Sequence, residues 1–187
     1  MLCLYTALLG SAWTSLAPAV QRLHGGGVSA RGVFRVRRGA SWLARLIASI
    51  LRMPLPGEGV RVVLAVESTP DEERWTRAFD DHPLRTVQWR RGALLVESLG
   101  LVQCLFRLRA ASGALVFEQV GAALGFRGFT VPLPRFLAPF IEGRAEPHED
   151  DVHVDVRIHA PGVGLLVAYD GYVTPAPPIP AVPEHAS

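Results

Sequence analysis

The chain contains no lysine and no asparagine; all nineteen of its basic residues are arginine. Without lysine there is no amine for Schiff-base chemistry and no P-loop lysine to hold phosphates. Without asparagine, a common side-chain donor to an oxyanion is missing. Cysteine is scarce. Cys3 and Cys104 are the two present, far apart in the chain, so no CxxC pair exists for zinc or for thiol–disulfide exchange. A reducing, cytoplasmic setting fits them, and Cys104, within an apolar strand, reads as a small buried side chain. No apolar run approaches the ~20 residues of a membrane-spanning helix. The net charge is only +2, and the arginines are too scattered to form the continuous positive stripe of a nucleic-acid binder.

Two glycine motifs fail for want of context. His24-Gly25-Gly26-Gly27 has the form of an esterase oxyanion loop, but the chain has no G-x-S-x-G nucleophile elbow. The same glycines fit G-x-G-x-x-A. A dinucleotide fingerprint follows a strand and opens a helix, and here that order is reversed. A glycine linker is the better reading, and no cofactor is expected.

What is present suits one domain with a sizeable core: 187 residues, 49% of them hydrophobic. The opening MLCLYTALLGSAW lacks the positive flank of a signal peptide and reads as an amphipathic helix over residues 2–9. A second short helix follows Ser15, with Pro18 in its first turn. Residues 28–38 alternate as a strand. Ser41 and Pro54 bracket the clearest helix, with Trp42, Leu43, Leu46, Ile47 and Ile50 on a wide apolar face. From Val60 onward the pattern is strand after strand, joined by links too short for anything but antiparallel pairing. Pro132, Pro134 and Pro139 keep residues 126–139 out of any central strand. Long strands near 143–160 and 164–173 close the domain. The expected fold is α+β over residues 1–174, followed by a disordered proline-rich tail, 175–187. Its core is a curved antiparallel meander of about eight to ten strands, half-barrel-like, packed on a central helix 41–53 and on short N-terminal helices.

LYTALLGSAWTSLAPAVQRLH, RWTRAF, GFTVPLPRFLAP and DVRIHAPGVGLLVAYDGYVTP resemble a bacterial family known as domain of unknown function 4166. The resemblance runs from Leu4 to Pro175, with PLPRFLAP and GLLVAYDGY its most specific parts. It implies no assigned activity and no established catalytic residues. It also implies a module found alone or behind an NAD(P)-binding oxidoreductase-like domain, so an oxidoreductase-like partner is one expectation.

Candidate functional residues fall into three groups. In EDDVHVDVRIHA, His153, Asp155, Arg157 and His159 alternate with Val152, Val154, Val156 and Ile158, so one face suits a core and the other suits water. His153 and His159 would sit ~20 Å apart, too far to share a metal ion. His153 and Asp155 are the catalytic candidates, with Arg135 or Glu142 as helpers, but such a pair orients a base without supplying a nucleophile. Glu146, His148, Glu149, Asp150 and Asp151 could bind a metal through oxygen ligands and one histidine; a solvated hairpin tip is the preferred reading, and no metal is expected.

The third group is aromatic. Trp75, Phe79, Trp89 and Phe106 on the strands, facing Trp42 on the helix, could line a pocket for an apolar or amphipathic small molecule, with Arg77 or Arg107 meeting an acidic headgroup. A filled core is the simpler alternative. Membrane contact through Trp42 with Arg37, Arg38, Arg45 and Arg52 needs an exposed helix, and is set aside because that helix is expected to be central. The leading expectation is a non-enzymatic binding or partner-docking module. An enzyme using His153 and Asp155, and a structural or oligomerisation domain, are the alternatives.

Overall fold

A computed structural model describes residues 3–126 and 129–176. Two short helices, α1 (Leu4–Leu9) and α2 (Pro18–His24), flank a 3-10 helix at Gly10–Ser15. Strand β1 (Ser29–Arg38) leads to α3 (Trp42–Ile50). The remaining strands are β2 (Gly57–Ser68), β3 (Glu72–Phe79), β4 (His82–Arg91), β5 (Leu94–Leu99), β6 (Val102–Ala111), β7 (Ala114–Phe126), β8 (Phe129–Pro132), β9 (Phe140–His148), β10 (Asp151–Ala160) and β11 (Gly164–Ala176).

The class and the number of strands match the sequence expectation, but the half-barrel does not. β6 pairs with β7, β7 with β9, and β11 returns to pair with β1 in continuous register from Ser29↔Ala176 to Arg38↔Val167. Ten antiparallel strands therefore close on themselves, and β8 is a short flap paired to the end of β7. Closure removes the two edges that a half-barrel would leave with unpaired N–H and C=O groups.

Strand alternation sets the wall. On β2, Val60, Val62, Leu64 and Val66 are buried while Arg61 and Glu67 are exposed. Arg31, Arg35 and Arg85 likewise point outward. On β1 and β2 the inward phase is apolar and the charges stand on the outward phase, the inverse of a strand wall built to face lipid.

The N-terminal helices pack on the strands as expected, but α3 takes another position than expected. The β1–β2, β3–β4, β5–β6, β7–β9 and β10–β11 connections share one pole of the barrel, and α3 lies there, against β11 and β1. It is not central. A helix with its side chains is ~10–12 Å across, too wide for a lumen in which the inward side chains leave a void of only about 180 Å³. Ser41 caps α3 as expected, its Oγ accepting from the Ala44 N–H at 3.1 Å. What α3 buries is its small side, Ala44 and Ala48, whereas Trp42 and Ile50 are each 70% exposed. Small residues let the helix lie close to the strand ends, where the Gly39 N–H donates to the Leu166 carbonyl at 3.2 Å.

The opposite pole is plugged by α1, the 3-10 helix and α2. Tyr5, Leu16, Ala19, Val20 and Leu23 are buried there. The Ala17 N–H donates to the Gly113 carbonyl at 2.9 Å, tying the plug to the β6–β7 turn.

Two boundaries shift. Residues 143–160 are two strands, β9 and β10, turning at Glu149–Asp150, where Glu149 takes a φ of 53°. β11 continues to Ala176, and the rest of the expected proline-rich tail, 177–187, lies outside the described residues.

Candidate functional site

Inside the barrel is a cavity of about 180 Å³. Its lining runs from Tyr5, Leu23 and His24 at the plugged pole to Leu51, Met53 and Pro139 at the α3 pole. The two sides of the lumen differ chemically. β1, β2, β10 and β11 contribute a greasy wall that includes Phe34, Leu64, Val156, Ile158, Leu166 and Tyr169. β3 to β6 contribute Arg77, Thr86, Gln88, Glu97 and Cys104.

The polar wall is internally bonded. Arg77 Nη1 donates to Thr86 Oγ1 at 2.9 Å, and Nη2 reaches Glu97 Oε1 at 3.4 Å. The guanidinium also lies over the Trp75 ring, 5.0 Å from its centroid. The Arg77 and Glu97 side chains are only 17% and 21% exposed; every other ion pair among the described residues has at least one partner well exposed. Nearer the plug, the Tyr5 hydroxyl donates to Gln88 Oε1 at 2.7 Å. Glu73 lies beside the lumen, 1% exposed, and accepts from Trp75 Nε1 at 3.2 Å. Burial lifts its carboxyl above the usual range.

Apart from the Arg77–Glu97 pair, desolvation favours the neutral forms of His24, Cys104, Tyr5 and Tyr169. Burial lowers His24 from 6.5 to about 4, opposed by the hydrogen bond from its Nδ1–H to the Val20 carbonyl at 3.0 Å. Burial, helped by nearby Glu97, pushes the Cys104 thiol up to about 12. Tyr5 and Tyr169 are raised by burial as well. A thiol at that value is not a thiolate, so Cys104 is a lumen side chain and not an activated nucleophile. The arrangement can desolvate an apolar body and present one fixed cation, a hydroxyl and an amide to a polar end.

Of the residues proposed from sequence as lining, Trp75, Arg77, Phe79 and Phe106 face this cavity. Trp42 stands on the outer side of α3, and Trp89 and Arg107 occupy the outward phase of their strands. The phase on β4 is inverted because Leu84, Thr86 and Gln88 point inward. Choosing the most apolar face of that strand selects Val87 and Trp89, yet Thr86 and Gln88 are drawn inward by partners on β3 and α1. Tyr5, His24, Gln88 and Glu97 were missed. The one available signal was a lone Tyr on the inner side of a short helix, whose hydroxyl needs a buried partner.

His153, Asp155 and Arg157 line a shallow outer groove between β7, β9 and β10. Asp155 accepts from Arg157 Nη2 at 2.9 Å, and His153 Nδ1 lies 3.8 Å from Glu146 Oε2 with its ring against Tyr172. Glu142 borders the same groove; Arg135, on the segment before β9, is exposed and does not. His148, Glu149, Asp150 and Asp151 form the β9–β10 tip, where Asp150 lies 3.7 Å from Arg22 and Asp151 accepts from Thr174 at 2.6 Å.

No curated protein and no solved structure matches the chain. Residues 16–173, covering every strand of the closed barrel and α2, match the family described as a domain of unknown function (DUF4166), and the chain belongs to that family.

Proposed function

We propose that the barrel is a binding protein for a small amphiphile. The apolar body would lie against Phe34, Val156 and Tyr169, with an acidic or hydrogen-bonding end at Arg77, Thr86 and Gln88. The observation that carries this reading is the cavity of about 180 Å³ with a greasy wall on one side and a single buried ion pair on the other. A dry apolar void of ~150 Å³ is enough to hold a benzene-sized molecule. A ring or a short acyl segment therefore fits, and a longer chain has the α3 pole to extend toward. The Arg77–Glu97 contact is loose at 3.4 Å. A carboxylate offering two oxygens could take over part of the guanidinium fork.

Medium-chain fatty acids and the matching alcohols, titrated while thermal unfolding is followed, test this. The acids are expected to raise the melting temperature in a saturable way, by about 2.7 kcal/mol of stabilisation at a hundredfold excess over Kd. Val156→Phe, which fills the lumen, is expected to remove the effect, and Arg77→Leu with Glu97→Leu to erase the preference for acid over alcohol. No stabilisation by any chain length, or full binding by Val156→Phe, would sink the reading.

A further inference from the structure

We propose that the α3 pole docks on an anionic lipid surface. Most of the large apolar side chains that stand exposed among the described residues lie at this pole. Trp42, Leu46 and Ile50 form a stripe along α3 at helical spacing. On the segment joining β7 to β9, Phe129 and Phe136 are 77% and 72% exposed, and Leu137 stands out beside them. The two segments flank the cavity: Leu51 and Met53 after α3, and Pro139 before β9, belong to its lining. A protein surface rarely concentrates exposed aromatics at one end without a partner.

Charge identifies the partner. Over the chain, 19 arginines are nearly balanced by 17 acidic residues. In the two described segments of this pole, 39–57 and 129–141, that balance disappears: they contain Arg45, Arg52 and Arg135 and no Asp or Glu. Arg45, Arg52 and Arg135 have no carboxylate partner among the described residues. The acidic residues of the β3–β4 turn are Asp80 and Asp81, and Asp80 is engaged by Arg61 at 3.5 Å. Exposed Trp, Phe and Leu interleaved with unpaired arginine is the composition of an interfacial anchor: apolar groups enter the headgroup boundary while guanidinium groups meet lipid phosphates. A second copy of the same pole would bring these cations face to face. Docking goes beyond the lumen reading and does not need the cavity to hold a ligand.

Ligand-free protein is mixed with phosphatidylcholine vesicles, with and without phosphatidylglycerol, and sedimented. The expected result is binding to the anionic vesicles that weakens as salt rises, with a blue shift of Trp42 emission and its quenching by brominated lipid. Trp42→Ser combined with Ile50→Ser, and separately Phe136→Ser, should each lower partitioning roughly tenfold. All three side chains are exposed, so circular dichroism and melting should be unchanged. Val156→Phe should bind vesicles normally, which separates a failure here from a failure of the lumen reading. No sedimentation with anionic vesicles at low salt, undiminished binding by the apolar-to-serine variants, or a lipid-free dimer that shields Trp42 would overturn the proposal.

Discussion

His24 is where burial most visibly overrides a residue's ordinary chemistry. Its ring packs between Tyr5, Trp75 and Phe117, with centroids 4.7, 5.6 and 6.2 Å away. Desolvation lowers it from 6.5 to about 4. A base whose folded value is depressed contributes its stability above the unfolded value and loses it as the pH falls. The window is thus pH 6.5 down to about 4, and the loss is on the order of 3 kcal/mol at about 1.4 kcal/mol per unit. His24→Phe, which keeps an aromatic ring in the cluster, is expected to flatten this part of the stability-versus-pH curve in urea titrations. An unchanged slope would mean that another group titrates there. None of this was legible in HGGG, because a sequence shows the glycines that permit a turn and not the aromatic rings that close over the histidine. The outward phase of His153, Asp155 and Arg157 was legible, since strict alternation with valine leaves one choice once the valines face a core.

At the scale of the element, β1 and β11 form the seam that completes the cylinder. Gly32 and Gly171 mark how close it is. A Cβ on Gly171 would lie 2.2 Å from the Val33 carbonyl oxygen, and one on Gly32 would lie 2.0 Å from the Tyr172 carbonyl oxygen. Both obstacles are backbone and cannot swing aside. Gly171→Ala is therefore expected to cost about 3 kcal/mol or more, read as a drop in denaturation midpoint. Ala at Gly92, where nothing lies within 4 Å, meets no such obstacle and pays only for its φ of 63°. The hairpins of β3 to β7 were readable because each pairs with its neighbour in sequence across a short turn. α3 was recognised as a helix, but its placement was misjudged. A broad apolar face says that a helix wants cover and does not say whether this chain supplies it.

The whole molecule depends on one long-range pairing that no local pattern announces. β1 and β11 are separated in the chain by every other strand, so closure carries a loop-entropy cost that the hairpins do not. Once made, the seam belongs to one cooperative wall. Native-state hydrogen exchange is expected to show β1 and β11 amides opening with the same free energy as β3 and β4, while β8, bonded on one side to β7 alone, exchanges far sooner. Early exchange at the seam would mean that the cylinder opens as a sheet.

That seam also fixes where a larger assembly could be built. Ser29 faces Ala176 in register, so the chain enters and leaves the staves side by side, beneath the plug. Anything fused after Ala176 would be carried like a handle at the base of a cup, leaving the aromatic rim free for whatever it meets.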